Sequence, residues 1–259
     1  MSPTPDGPAV EDQVRTVILC GGMGTRAYPN TVELPKPLLE INDRPMLRHV
    51  MEIYAGQGFT RFTLAAGFKA EMVADFATTV PADWDVEVVD TGLETNTGAR
   101  VDAVRDRVGE MFFCTYADGL GDVDLVALLA HHRGHTSAAT ITTVALPSQY
   151  GTIELDTAGR VARFTEKPRL HDHRINAGFF VFSRRVFDLW WGEDLERQVL
   201  PHLAGLGELR PFPHEGFWKS ADTYKDTQDL AALCRRGPGP WLTPPPAHLD
   251  DPAGERPTA

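Results

Sequence analysis

The sequence predicts an α/β fold with a mostly parallel central sheet, helices on both faces of that sheet and a small antiparallel β addition. Three features lead to this prediction. Short apolar runs in the first half of the chain end at glycine or at a polar turn, as buried parallel strands do. Segments with helical spacing of apolar residues separate these runs. In the second half the strand patterns follow one another more closely, which indicates added antiparallel pairs.

Strand and helix patterns alternate along the first half. The predicted strands are residues 16–20, 62–66, 86–89 and 111–116, and the predicted helices are residues 46–55, 71–78, 99–108 and 125–132. Because a helix between two strands of one sheet makes a right-handed crossover, these strands are expected to be parallel. Ligands of such sheets bind beyond the carboxyl ends of the strands, where Gly21 and Asp118 fall.

The second half adds strands at residues 139–146, 151–155, 161–165 and 175–182. The middle two flank Asp156-Thr157-Ala158-Gly159, a sequence typical of a hairpin turn. We therefore predict a β-hairpin beside the main sheet. A helix is predicted from Tyr224 onward, with Asp222 as a candidate N-cap.

Composition bounds the class of protein. The chain has 259 residues, 42 % of them hydrophobic and 24 % charged, which fits one globular domain. We predict that this domain spans residues 14–236, between a flexible N-terminus (1–13) and a Pro-rich C-terminal tail (237–259). A formal net charge of −11 argues against a nucleic-acid partner.

Localisation and redox state follow from other sequence features. The N-terminus has no apolar signal core, and no apolar run approaches membrane-spanning length, so no membrane partner and a cytoplasmic location are expected. The three cysteines, Cys20, Cys114 and Cys234, are odd in number and lack zinc spacing. We expect buried, reduced thiols.

A glycine-rich segment follows the first predicted strand directly. Gly21, Gly22 and Gly24 let the backbone approach phosphate oxygens and direct N–H groups at them. Arg26 and Lys36 can neutralise the charge of a triphosphate. The segment is neither a Walker loop nor the dinucleotide fingerprint. A plain strand-to-loop turn is the simpler alternative.

Carboxylates follow two other predicted elements. Asp118 comes at the end of a buried strand and is suited to hold Mg²⁺, which takes few protein ligands and several phosphate oxygens. Asp222 is a candidate second ligand. We interpret Asp124 as the cap of the next helix. Glu166 and Lys167 could bind a sugar phosphate, although such pairs are usually solvated.

Histidines suggest a metal site only superficially. His131 and His135 are one helical turn apart beside His132, but zinc sites need three or four ligands and no third is evident. We therefore predict that these histidines form a solvated helix end.

The order of short motifs along the chain resembles a known family. These motifs are GGMGTR, PKPLLEI, VDTG, TNTGAR, TYADG, YGTIEL, FTEKP, INAGFFVF and GFWKSADT. Together they resemble the sugar-1-phosphate nucleotidylyltransferases, and among them most the glucose-1-phosphate cytidylyltransferases. The resemblance runs from about residue 15 to about residue 241.

This resemblance implies a Rossmann-like nucleotidyltransferase fold and a Mg²⁺-dependent enzyme. A nucleoside triphosphate and a sugar 1-phosphate, which in the branch it resembles most are CTP and glucose 1-phosphate, would react to give a nucleotide sugar and pyrophosphate. The resemblance also implies a homo-oligomer. The implied nucleotide-binding residues are Leu19, Gly21, Gly22, Gly24, Thr25, Arg26, Thr97 and Gly98. The implied catalytic residues are Arg26, Lys36 and Asp118, the metal ligands Asp118 and Asp222, and the substrate-binding residues Arg100, Gly151, Glu166, Lys167 and Asn176.

Two departures keep alternatives open. The cytidylyltransferase branch carries a sizeable insertion before VDTG, whereas here residues 77–88 alone connect Phe76 to Val89. The segment 168–174 is rich in His and Arg where a sugar ring could be recognised. Use of dTTP or UTP, another phosphorylated substrate, a non-catalytic nucleotide-sugar sensor and a dinucleotide oxidoreductase remain the alternatives.

Overall fold

A computed structural model describes residues 14–22, 24 and 34–242 of the chain. The predictions for residues 1–13, for Thr25 and Arg26, and for the tail beyond residue 242 lie outside these residues. The structural statements below concern the described residues.

The strands are β1 (Arg15–Leu19), β2 (Arg61–Ala66), β3 (Asp85–Asp90), β4 (Met111–Tyr116), β5 (Gly119–Gly121), β6 (Ala139–Pro147), β7 (Thr152–Leu155), β8 (Val161–Thr165), β9 (Arg169–Ser183), β10 (Leu209–Pro213) and β11 (Trp218–Ser220). The α-helices are α1 (Met46–Ala55), α2 (Ala70–Ala77), α3 (Thr97–Ala103), α4 (Leu125–Arg133), α5 (Leu200–Gly205) and α6 (Tyr224–Leu233). Short 3₁₀ turns occur at Lys36–Leu38, Arg105–Arg107, Arg184–Asp188, Cys234–Arg236 and Pro240–Leu242, and a π-helix at Leu195–Val199.

Among the described residues, a seven-stranded sheet has the order β10-β6-β9-β4-β1-β2-β3. Strand β1 pairs in parallel with β2 and β4, and β3 and β10 extend the parallel pairing at the two edges. Strand β9 runs antiparallel between β4 and β6. The α/β prediction with a mostly parallel sheet is confirmed.

Helices cover both faces of this sheet. Val17 and Leu19 of β1 point into one hydrophobic cluster, with Val101 of α3 and Leu203 of α5. Ile18 points into the other cluster, which the apolar faces of α1, α4 and α6 complete. This alternation follows from the two-residue period of a strand, and it explains why β1 is buried along its whole length.

Two elements differ from their predicted bounds by more than two residues. The helix expected at residues 99–108 ends at Ala103, because Val104 leaves helical geometry at φ −106° and a 3₁₀ turn follows. Strand β9 begins at Arg169 rather than at residue 175. Its pairing with β6 jumps from Ala145↔Arg174 to Leu146↔Leu170, so residues 171–173 bulge out of the ladder.

The predicted hairpin is confirmed. Strands β7 and β8 form their own two-stranded antiparallel sheet, separate from the main one. At its turn, Asp156 accepts hydrogen bonds from the backbone N–H groups of Ala158 and Arg160, and Gly159 has a positive φ of 76°.

The packed part of the chain continues past the predicted domain boundary at residue 236. Trp241 is buried in the cluster that α1 lines, with its ring 5.4 Å from that of His49 and 5.9 Å from that of Phe217. A tryptophan removes a large apolar area from water, which anchors this first part of the Pro-rich segment. Among the described helices, none has the length and apolar character needed to cross a membrane.

The cysteine prediction is confirmed for burial, because Cys20, Cys114 and Cys234 are all buried and free. The prediction for the histidines is wrong for His132. His131 is exposed, but His132 is 2 % exposed, with its ring nitrogens 2.8 Å from the hydroxyls of Thr140 and Ser183. Strand β6 and the end of β9 pack against the last turn of α4, so the ring is covered.

This burial predicts a pH-dependent stability. Burial lowers the pKa of His132 to about 4, and the neighbouring His135, His131, Arg185 and Arg133 also oppose its protonation. The unfolded value is near 6.5. The pKa of His132 is lower in the folded state than in the unfolded state. The contribution of neutral His132 to the stability of the fold is therefore complete above pH 6.5 and is lost as the pH falls toward 4.

We expect the free energy of unfolding to fall by about 2 kcal/mol more between pH 7 and pH 5 in the wild type than in His132→Gln, which cannot titrate. Urea denaturation of both proteins at the two pH values measures the difference. Equal pH dependence in the two proteins would show that folding does not lower the pKa of His132.

Candidate functional site

A cavity of about 780 Å³ opens at the carboxyl ends of β1 and β4. This is the edge at which α/β sheets bind ligands. The following predicted site residues line it: Leu19, Gly21, Gly22, Gly24, Lys36, Thr97, Arg100, Asp118, Asn176 and Asp222. The structure thus brings together residues that lie up to about 200 positions apart in the sequence.

Two glycines of the glycine-rich segment have structural roles, one in a close approach and one in its backbone conformation. A Cβ atom at position 21 would lie 2.1 Å from the guanidinium of Arg100, so a larger residue there would displace the Arg100 side chain. Gly24 has a φ of 62°, in the left-handed region that favours glycine. The carbonyl of Gly21 accepts hydrogen bonds from the backbone N–H of Phe68 and from Arg100. The start of the loop is therefore held by hydrogen bonds as well as by packing.

Lys36 joins two carboxylates at the cavity wall. Its ammonium donates to Asp118 and, at 3.3 Å, to Oδ1 of Asp222. The Lys36 side chain is 12 % exposed, between Pro35 and the buried Pro37. Lys36 therefore bridges the two carboxylates at the wall of the cavity.

The two carboxylates meet because two short strands pair. Strand β5 follows Asp118 directly, β11 precedes Asp222 closely, and the two strands are antiparallel with Gly119 opposite Ser220. The backbone N–H of Ala221 also donates to the carbonyl of Asp118 at 2.9 Å. A second hydrogen bond, from the Ser220 hydroxyl, reaches Oδ2 of Asp222 at 3.0 Å.

Helix capping distinguishes the carboxylates that have a structural role from those that line the cavity. Asp124 accepts from the backbone N–H of Ala127 at 2.8 Å, which confirms it as the cap of α4. The cap of α6 is Thr223, in a capping box with Asp226, so the N-cap interpretation of Asp222 is wrong. The Asp222 side chain lines the cavity instead.

The pair Asp118 and Asp222 fits a magnesium ion by its chemistry. Mg²⁺ is bound by one or two carboxylates together with substrate phosphates and waters, and these two carboxylates already converge on one positive charge. No cluster of three or more His, Cys, Asp or Glu side chains suited to a metal occurs among the described residues. The donor set therefore matches a hard cation shared with a phosphate ligand.

Arg100 is buried and hydrogen-bonded on several sides. Its guanidinium donates to the carbonyls of Ala66 (2.9 Å), Gly21 (3.1 Å) and Leu93 (3.2 Å), and to the hydroxyl of Thr91 (2.6 Å). Burial lowers the pKa of Arg100. The side chain thereby joins three segments of the cavity wall, a structural task that the sequence did not reveal.

Sequence reasoning missed Glu196, which lies on the π-helix and lines the cavity. It accepts hydrogen bonds from the hydroxyls of Thr97 (2.7 Å) and Tyr116, and Tyr116 accepts one from the Asn176 amide at 3.3 Å. Burial, together with the Glu196 carboxylate, raises the pKa of Tyr116. No motif surrounds Glu196, and a π-helix leaves no recognisable sequence pattern, so only the fold reveals this network.

Of the predicted site residues that the structure describes, four do not line the cavity. Gly98 is buried behind it, where a side chain would come within 2.8 Å of the Glu193 carbonyl. Gly151, Glu166 and Lys167 lie at the base of the β7–β8 hairpin, and the last two side chains are largely exposed. The hairpin therefore holds Gly151, Glu166 and Lys167 outside the cavity, whereas the predicted substrate-binding residues Arg100 and Asn176 line it.

Comparison with known proteins agrees with the motif order. The glucose-1-phosphate cytidylyltransferase of Salmonella typhi is 35 % identical over 256 residues, covering 89 % of this chain and 99 % of the relative. The mannose-1-phosphate guanyltransferase of Candida albicans is 32 % identical, covering 82 % of this chain and 62 % of the relative. The alignment has 256 positions but includes only 89 % of the 259 residues of this chain. The Salmonella protein therefore carries internal residues that are missing here.

Solved structures support the fold. HddC from Yersinia pseudotuberculosis superimposes with a TM-score of 0.67 at 22 % sequence identity, covering 85 % of this chain and 98 % of that one. The same protein complexed with GMP-PN gives a TM-score of 0.66. The sequence model of the family described as nucleotidyl transferase matches residues 15–206. With this match and the identities to its relatives, the chain belongs to the nucleotidyl transferase family of enzymes.

Proposed function

We propose that the protein transfers the CMP group of CTP to glucose 1-phosphate, giving CDP-glucose and pyrophosphate, with Mg²⁺ held by Asp118 and Asp222. The observation that carries this proposal is the convergence of Lys36 on both carboxylates beside the glycine-rich segment. Phosphate transfer requires charge neutralisation at such a place.

The choice of nucleotide and sugar rests on the relatives. The protein from Salmonella typhi is named a glucose-1-phosphate cytidylyltransferase and is matched over 99 % of its length. The guanyltransferase from Candida albicans is matched over 62 % of its length. Similarity along the whole relative favours CTP and glucose 1-phosphate over GTP and mannose 1-phosphate.

The reaction needs positioning and charge more than a covalent residue. An oxygen of the sugar phosphate attacks the α-phosphorus of CTP, and the bond from that phosphorus to the pyrophosphate oxygen breaks. The attacking phosphate is already an anion, so no general base has to deprotonate it. Alignment of two bound reactants can supply roughly 7–11 kcal/mol of the barrier.

Backbone and side-chain groups of this chain would have separate roles in positioning the two reactants. Backbone N–H groups of Gly21, Gly22 and Gly24 would face the triphosphate. Lys36 would stabilise the negative charge that develops at the α-phosphate. Magnesium, when bound, supplies charge neutralisation between the phosphates and the two carboxylates.

The sugar-binding part of the cavity would use the network around Glu196. A carboxylate accepts hydrogen bonds from hydroxyls, and an amide can donate or accept. Glu196, Tyr116 and Asn176 are therefore suited to bind the hydroxyls of a sugar or of the ribose. Glu166 and Lys167 at the hairpin base would complete the phosphate contacts if the hairpin closes.

A matrix of nucleoside triphosphates against sugar 1-phosphates tests this proposal by pyrophosphate release. We expect release only when triphosphate, sugar 1-phosphate and Mg²⁺ are present together, with the highest kcat/KM for CTP and glucose 1-phosphate. The highest kcat/KM with dTTP or UTP would show that the enzyme uses that nucleotide instead of CTP. Tight nucleotide binding without turnover in any pair would favour the nucleotide-sugar sensor.

A further inference from the structure

A short loop connects β3 to α3 at the wall of the cavity, and Glu94 lies within it. The hydroxyl of Thr95 donates a hydrogen bond to the carbonyl of Thr91. The guanidinium of Arg100 donates one to the carbonyl of Leu93 at 3.2 Å. Hydrogen bonds therefore hold the loop on both sides of Glu94, so this residue has a defined place in the wall.

The carboxylate of Glu94 is available to a ligand of the cavity. Its side chain lines the cavity, is exposed, and has no hydrogen bond or ion pair with any residue that the structure describes. The other carboxylates of the wall have partners in the protein, because Asp118 and Asp222 accept from Lys36 and Glu196 accepts from two hydroxyls. A polar side chain without a structural partner on an anchored loop marks a candidate contact with substrate.

The position of Glu94 suits the base of a nucleotide and not its phosphates, which a carboxylate repels. Asp118 follows β4 and Glu94 follows β3, and these strands are three positions apart in the sheet, about 14 Å. The glycine-rich segment after β1 lies between them, and one nitrogen of Arg100 donates to the carbonyls of both Gly21 and Leu93. A nucleotide that extends from Asp118 along this segment would bring its base to Glu94.

The chemistry of a carboxylate selects among bases. An ionised carboxylate accepts hydrogen bonds and donates none. Cytosine presents an amino group at position 4, which donates, whereas thymine and uracil present a carbonyl oxygen there, which only accepts. Asn96 also lines the cavity, but its amide can donate as well as accept and so does not make this distinction. Leu93, which is 49 % exposed at the same wall, offers apolar surface to the ring.

We propose that Glu94 determines the nucleotide specificity of this enzyme by accepting a hydrogen bond from the amino group of cytosine. The inference rests on the proposed function, for which it supplies a reason within this chain to prefer CTP over UTP and dTTP. With either of these nucleotides the carboxylate would face a carbonyl oxygen without a hydrogen between them. Because the base does not react, loss of the contact should raise the KM for CTP with little change in kcat.

The first test compares kcat/KM for CTP and for UTP in the wild type and in Glu94→Gln. A glutamine amide can donate to the uracil oxygen, so the ratio of the two values should fall by about 10- to 100-fold in the variant. Glu71→Gln is the matched control, since it makes the same change at an exposed position in the first turn of α2, away from the residues that line the cavity. It should keep the wild-type ratio.

The second test measures binding alone, by calorimetry with Mg²⁺ and without sugar phosphate. The ligands are CTP and an analogue in which hydrogen replaces the 4-amino group of the base. Loss of the amino group should weaken binding to the wild type by about 10-fold or more, and binding to Glu94→Ala by less than about 3-fold. Thermal melts establish that the variants fold, which the exposure of Glu94 leads us to expect.

An unchanged ratio of CTP to UTP in Glu94→Gln would overturn the proposal. Equal losses on removal of the amino group from the ligand, in the wild type and in Glu94→Ala, would overturn it as well. So would a raised KM for glucose 1-phosphate with an unchanged nucleotide ratio, which would place Glu94 beside the sugar. Failure of the proposed function itself is visible in the wild type alone, as the absence of a preference for CTP, and would overturn this inference with it.

Discussion

Asp118→Asn is expected to lower kcat by about 100- to 1,000-fold, with a change in melting temperature of no more than about 4 °C. Asparagine keeps the shape and an oxygen that can accept from Lys36, but it removes a charge from the centre that we propose to hold Mg²⁺. The lost ion pair is partly exposed, and Lys36 keeps Asp222 as a partner, so its contribution to stability is about 1 kcal/mol or less. Steady-state kinetics at saturating Mg²⁺ and a thermal melt measure the two effects.

Asp124→Asn is the matched control. It makes the same chemical change six residues later, at the cap of α4, where asparagine caps as well as aspartate does. Turnover close to that of the wild type is expected. If Asp118→Asn instead kept its activity, or if it melted far below the control, Asp118 would have a structural task and not the proposed one.

Arg100→Met is expected to destabilise the protein by about 3 kcal/mol, which corresponds to a drop of roughly 6–12 °C in melting temperature. Methionine replaces the stem but leaves the carbonyls of Gly21, Ala66 and Leu93 without their shared donor. The carbonyls of Gly21 and Ala66 keep the backbone N–H groups of Phe68 and Thr91 as donors, so the expected cost comes from the loss of hydrogen bonds that a charged group donates. The glycine-rich segment would also lose an anchor, so the KM for the nucleotide should rise.

Arg105→Met provides the comparison for this second substitution. Arg105 is exposed, pairs with Asp102 at 3.4 Å and lies over the ring of Phe187. Its replacement should cost no more than about 1 kcal/mol. Urea denaturation of both variants separates the two cases. Equal losses would mean that the hydrogen bonds of Arg100 contribute little to the folded state.

Strands and caps were predictable because their signals are local. The apolar run that becomes β1 is buried along its whole length, as a central parallel strand requires. Asp124 caps α4 because its side chain reaches a backbone N–H three residues on. The turn at Asp156 to Gly159 likewise depends on nearby residues alone.

Features that depend on distant contacts were not predictable. His132 looks like part of a polar helix end until β6 and β9 cover it. Trp241 stands in a Pro-rich stretch, yet its ring packs beside His49 of α1. Tertiary packing decides such cases, and the local sequence does not carry that information.

The residues of the candidate site also divide into those that local motifs reveal and those that depend on distant contacts. The glycine-rich segment, Lys36 and Asp118 were recognisable from motifs, and the cavity gathers them. Glu196 was not, because only the path of the π-helix brings it against Tyr116 and Thr97. The family resemblance implies a substrate-binding role for Arg100, whereas its guanidinium donates to the carbonyls of Gly21, Ala66 and Leu93.

The most direct test of the central claim follows labelled phosphate through one reaction. The protein is incubated with glucose 1-phosphate, Mg²⁺ and CTP that carries a radioactive label at either the α- or the γ-phosphorus, and the products are separated by anion exchange. The proposed chemistry predicts the α-label in CDP-glucose and the γ-label in pyrophosphate. Transfer of the γ-label to the sugar phosphate, or no labelled sugar product from either CTP, would contradict it.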